Sequence, residues 1–131
     1  MLMHKKFFDE WNVVKKIIDQ APGVKYFNNR EIWFLNLGEN IGFEQNGKGD
    51  EFLRPVLIYK KFSRNLFLGV PLTSKIKTNK FYSSFSHKNK ISTAILSQIR
   101  LFDAKRLRYY YGRVSHQKFL IIKEKLIELI R

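Results

Sequence analysis

The residues best suited to chemistry stand at the ends of β-like runs. Arg54 comes just before "PVLIY", and Thr73 and Ser74 follow "LGVPL". Gln98 and Arg100 punctuate "AILSQIRLF", and the polar stretch "GENIGFEQNGKGDEF" offers Glu44 and Gln45 just ahead of Arg54. An arginine suits phosphate because its planar fork makes two charge-assisted hydrogen bonds and keeps its proton. A threonine hydroxyl can donate to a phosphate oxygen. A carboxylate such as Glu44 can accept a proton from a ribose 2′-OH when its pKa is tuned. RNA carries its own nucleophile next to the scissile phosphate, so a site for it needs only proton steering and charge stabilisation.

Charge supports a polyanionic partner. The chain of 131 residues has a formal net charge of +14, and the charge is unevenly placed. From Phe52 to Lys118 there are 15 Lys/Arg and one acid, Asp103, whereas the flanks hold 10 basic and 10 acidic residues. A basic middle inside a neutral frame reads as a polyanion-binding face, nucleic acid above all. The basic residues do not line one amphipathic helix, which argues against a membrane surface.

Other chemistries lack their residues. His4, His87 and His116 are far apart and have no carboxylate partners at ligand spacing, so no metal site or cofactor is expected. The glycine-rich phosphate-loop patterns are absent. With no cysteine there is neither a disulfide nor a thiolate site, as suits a reducing compartment. No apolar run approaches the roughly 20 residues that span a membrane. The start, "MLMHKKFFDEWNVVKK", lacks the unbroken apolar core of a signal peptide, and a cytoplasmic protein is expected.

The elements that must position these residues follow from periodicity. Phe7, Trp11, Val14 and Ile18 predict a helix over residues 4–20, ended by Ala21-Pro22-Gly23. Strands are expected at 32–37, 55–59, 65–73, 80–86, 92–102 and 109–114, with "HKNK" as a turn between the fourth and fifth. Ser115 can cap a closing helix whose apolar stripe is Phe119, Ile122, Leu126 and Ile130. Asp103 reads as a turn or cap residue, and Tyr109 to Tyr111 as alternating core and surface positions. The expected class is α+β: a small twisted antiparallel sheet or SH3-like barrel with packed helices. The organisation expected is an N-terminal helical extension over residues 1–29 and a domain over residues 30–131.

Three stretches, "GFEQNGKGDEFLRPVLI", "GVPLTS" and "ILSQIRLFDAKRL…GRVS", resemble in order the signature blocks of the MazF/PemK toxins. The resemblance implies a compact barrel shared with CcdB-like gyrase inhibitors, forming a homodimer with substrate grooves along its interface. It implies metal-independent, sequence-selective cleavage of single-stranded RNA to a 2′,3′-cyclic phosphate and a 5′-OH. It also implies a cognate antitoxin that lays an acidic segment over the basic surface. Arg54 matches the family's catalytic arginine, Thr73 its catalytic threonine, and Glu44 a glutamate used in some members. Phe43, Gln45, Ser74, Lys75, Gln98 and Arg100 match or adjoin positions near the RNA groove. Phe43 replaces a serine of the pattern and offers a stacking face instead. The loop before Arg54 is longer than the pattern's, and the helix over 4–20 lies outside the family core. A non-catalytic binder of protein or RNA on the same fold, a CcdB-like topoisomerase poison and a plain RNA-binding barrel all remain open on the sequence.

Overall fold

In a computed structural model, residues 25–37 and 53–131 are described. The expected helix over 4–20, together with Phe43, Glu44 and Gln45, lies outside the described residues. Seven strands and one helix follow in order: β1 (Glu31–Asn36), β2 (Leu53–Lys61), β3 (Leu66–Thr73), β4 (Tyr82–His87), β5 (Lys90–Ile95), β6 (Arg100–Asp103), β7 (Leu107–Arg113) and α1 (His116–Ile130). All strand pairs are antiparallel, in the order β4, β5, β3, β2, β1, β7, with β6 also paired to β3. The result is a curled antiparallel sheet, a half-barrel, with one C-terminal helix.

The sheet buries both of its faces. Trp33, Leu35, Val56, Ile58, Phe67 and Phe102 form one core cluster inside the curl. Ile32, Leu57, Val70, Leu72, Ile122 and Leu126 form the second, between the sheet and α1. Adjacent residues of β2, Val56 and Leu57, thus belong to opposite clusters, which is why "PVLIY" is an unbroken apolar run rather than an alternating one.

The strand expected over 92–102 is in fact two strands. β5 meets β3 with Leu72 against Ala94, whereas β6 meets it with Leu66 against Asp103. The two registers are out of phase by three residues, and a 3-10 turn of 3 residues, Leu96–Gln98, takes up the difference. Leu96 fills the core there, and its N–H donates to the carbonyl of Phe81 at 2.8 Å. A continuous apolar run hides such a break, because a buried 3-10 residue and a buried strand residue look alike.

The turns behave as their residues dictate. His87 pairs with Lys90, and Lys88 and Asn89 both have positive φ, 52° and 62°, as a two-residue hairpin turn of the right twist requires. Asp103 accepts from the Lys105 N–H at 2.9 Å and caps the short 3-10 turn Ala104–Arg106. Ser115 caps α1 by accepting from the Lys118 N–H at 3.3 Å. The apolar stripe of α1 runs through Phe119, Ile122, Leu126 and Leu129. Ile130 does not join it and is 70% exposed. Eight residues past Ile122, it has rotated about 80° from the buried face.

Candidate functional site

Arg54 is the second residue of β2, and Thr73 is the last of β3. The register of these strands, with Val56 against Pro71, brings Arg54 opposite Thr73 when carried to the strand ends. Thr73 in turn pairs with Thr93 of β5, and Thr93 with Ser84 of β4. A polar row therefore crosses four strands, and the Thr93 and Ser84 hydroxyls are 2.7 Å apart.

Arg54 and Thr73 line one pocket of about 460 Å³. Ser74 is in it too, with Lys90 and Ser92 from β5. Phe34 and Tyr111 supply aromatic walls. Two cations and no carboxylate are among the described lining residues.

The electrostatics centre on Arg54. Its side chain is 7% exposed, and its Nε is buried without a hydrogen-bond partner among the described residues. Burial pulls its pKa down, yet an arginine keeps its proton in a protein. A desolvated cation with an unused donor is costly unless an anion completes it. Thr73 is equally buried at 7% exposure, and its Oγ1 accepts from the Lys75 N–H at 3.3 Å. That bond occupies a lone pair and leaves the hydroxyl proton to donate elsewhere.

Tyr111 is held from three sides. Phe34 meets it edge-on with centroids 5.3 Å apart, the His87 ring is 5.5 Å away, and Lys88 Nζ sits 4.4 Å from its centroid. The β4–β5 turn thus reaches across to fix a wall of the pocket.

Of the residues picked from the sequence, the fold brings Arg54, Thr73 and Ser74 together. Lys75 contributes its backbone N–H to Thr73 and does not line the pocket. Gln98 lies in the 3-10 turn, and Arg100 opens β6 opposite Gly69, stacked 4.8 Å from the Phe102 ring. Gly69 precedes Thr73 by four residues, roughly 13 Å of strand, and neither Gln98 nor Arg100 lines the pocket. Phe34, Lys90, Ser92 and Tyr111 were not picked as pocket residues. Lys90 and Ser92, two apart, carry a faint signal, because alternate residues of a strand share a face.

The sequence model for PemK-like, MazF-like toxins of type II toxin–antitoxin systems matches residues 28–130. The chain belongs to this toxin family. Its fold is similar to that of MazF from Deinococcus radiodurans, with a TM-score of 0.66 at 21% identity, covering 81% of this chain and 98% of that one. A MazE–MazF complex from the same organism gives a TM-score of 0.62 at 18% identity, covering 81% and 97%. An endoribonuclease in complex with its cognate antitoxin from a mycobacterial species gives 0.61 at 14% identity, covering 80% and 95%. No curated protein matches the chain. Arg54 and Thr73, each from a different one of the three resembling stretches, share one pocket in this chain.

Proposed function

We propose that this toxin-family chain is a metal-independent, sequence-selective endoribonuclease. It acts on single-stranded RNA as a homodimer and is neutralised by a cognate antitoxin whose acidic segment covers the same basic surface. The observation that carries the reading is the buried Arg54 guanidinium, with an unpartnered Nε, in a pocket shared with Thr73. Solved relatives bound to antitoxins support the partner.

In the reaction the ribose 2′-oxygen attacks the adjacent phosphorus while the bond to the 5′-oxygen breaks. The 2′-OH proton goes to a base, a role assigned to Glu44, and the leaving 5′-oxygen takes up a proton. Arg54 neutralises the charge that gathers on the non-bridging oxygens, and the acid role at the leaving group is assigned to it because burial lowers its pKa. Thr73 donates its hydroxyl to a phosphate oxygen and sets the orientation. Phe34 and Tyr111 stack the flanking bases, Phe43 and Gln45 are assigned further RNA contacts, and Ser74, Lys90 and Ser92 contact backbone. The products are a 2′,3′-cyclic phosphate and a 5′-OH.

A direct test is to incubate the protein with single-stranded RNA in EDTA and characterise the ends. Cleavage to a cyclic phosphate, blocked by a single 2′-deoxy substitution on the 5′ side of the cut, is the expected result. Binding of RNA without any cleavage by the folded protein contradicts the reading.

A further inference from the structure

A second basic site lies at the other end of β2. Arg30, Lys61, Arg64 and Arg113 line a cradle of about 680 Å³ with Phe62 at its rim. Lys25 and Tyr26 continue it beside Lys61 and Arg64. These side chains come from four separate segments that meet at strand ends: the chain before β1, the end of β2, the β2–β3 turn and the end of β7. Lys61 is seven residues from Arg54 along β2, roughly 20 Å away.

Among the described residues the one acid there is already used. Glu31 is 7% exposed; its Oε2 accepts from Arg113 at 3.1 Å, and its Oε1 accepts from the Trp33 indole at 3.0 Å and the Asn28 N–H at 2.9 Å. Lys61 Nζ donates to the Phe27 carbonyl at 2.9 Å, and Arg30 Nη1 to that of Val114 at 3.3 Å, so among the described residues neither charge meets an acid. Arg30 also holds a left-handed backbone with φ 74°, its N–H donating to Ile58 and its carbonyl accepting from Val114. The sheet ends thus fix an arginine in a conformation that non-glycine residues avoid. Arg64 and Lys25 are exposed.

We propose that this cradle is an RNA-contact site that grips the single strand outside the Arg54–Thr73 pocket, an inference that shares its substrate class with the reading above. Phosphates fit the cluster of cations. The rings of Tyr26, 87% exposed, and Phe62, 54% exposed, offer flanking platforms for bases. An acidic peptide would answer the cations alone, whereas a nucleic-acid strand also uses the two ring faces that stand exposed beside them.

The test uses uncleavable, fully 2′-O-methylated single strands of about 6 and about 20 nucleotides, binding the full-length protein across a salt series. Lys25→Ala with Arg64→Ala removes two exposed cations that make no hydrogen bond among the described residues, and an unchanged thermal midpoint checks the fold. The proposal expects the long strand to bind about tenfold more weakly, its salt slope falling by about 0.7 for each phosphate no longer neutralised, and the short strand to be unaffected. Phe62→Ala should weaken the long strand by a similar factor without changing the slope. Equal affinity of wild type and double variant for the long strand overturns it. So does a loss confined to poly-glutamate binding. A wild type that cleaves nothing but grips the long strand through Lys25 and Arg64 would sink the catalytic reading and leave this site standing.

Discussion

Arg54 near the start of β2 and Thr73 at the end of β3 line one pocket, and the β2–β3 register, carried two residues past the Val56–Pro71 pair, sets them opposite each other. Cross-strand neighbours of this kind hold their Cβ atoms about 5 Å apart, so the sheet itself sets the spacing between the guanidinium and the hydroxyl. The arrangement is rigid before any ligand arrives, as electrostatic stabilisation requires.

Arg54→Met should separate function from stability. The side chain contributes a desolvated charge with an unpartnered nitrogen to the folded state, so an apolar replacement of similar length should leave the thermal midpoint unchanged or raise it. RNA cleavage should fall by about 100-fold or more. Thermal melts and cleavage rates on the same preparation check both halves.

Thr73 is predicted to act through its hydroxyl. Thr73→Val keeps the shape and removes the donor, and it strips the Lys75 N–H of its acceptor, a loss of about 1 kcal/mol in stability. Thr73→Ser keeps both. Cleavage should drop roughly 10- to 100-fold in the first and stay within a few-fold of wild type in the second, as initial-rate kinetics would show.

Gly69 is predicted to tolerate no side chain. A Cβ there would stand 2.7 Å from Val56 Cγ1 and 2.9 Å from the Phe102 ring. Both neighbours are core residues that cannot withdraw, so Gly69→Ala should destabilise by about 1–3 kcal/mol in denaturant melts. Gly112 combines φ 146° with His87 Nε2 at 2.6 Å from a built Cβ, and Gly112→Ala should likewise lower stability while displacing the Tyr111 wall.

Stability should weaken in mild acid through His87. Burial lowers its pKa from the ordinary 6.5; a backbone hydrogen bond at Tyr111 opposes that, and Lys88 and Lys118 add to it. Because the folded state binds the proton less readily than the unfolded chain, the contribution is full above about pH 6.5. It declines as pH falls through the depressed folded-state value. Thermal midpoints measured from pH 7.5 downward should show this decline in the wild type, and His87→Gln should flatten that part of the curve.

The sequence made the frame legible where local chemistry and tertiary context agree. The alternation and turn residues around "HKNK", the Ser115 cap and the strand-end positions of Arg54 and Thr73 could all be read in advance. What was hidden depends on register. The 3-10 break at Leu96–Gln98 exists because β5 and β6 meet β3 three residues out of phase, and no local pattern encodes a partner's register. Tyr111 enters the pocket at an irregularity of the β1–β7 pair, where Ile32 meets Gly112 and Trp33 meets Tyr110 and Tyr111 is the extra residue between them. Bulges re-aim side chains in a way that strict alternation cannot anticipate. Ile130 shows the converse: a helical repeat continued one turn too far, past the end of the core.

The decisive measurement is the rate at which purified wild-type protein and Arg54→Met cut the same single-stranded RNA in EDTA, with both shown to be folded. The account predicts cyclic-phosphate products from the wild type and a rate at least about 100-fold lower from the variant. Uncut RNA with the wild type, or equal rates from the two, would contradict it.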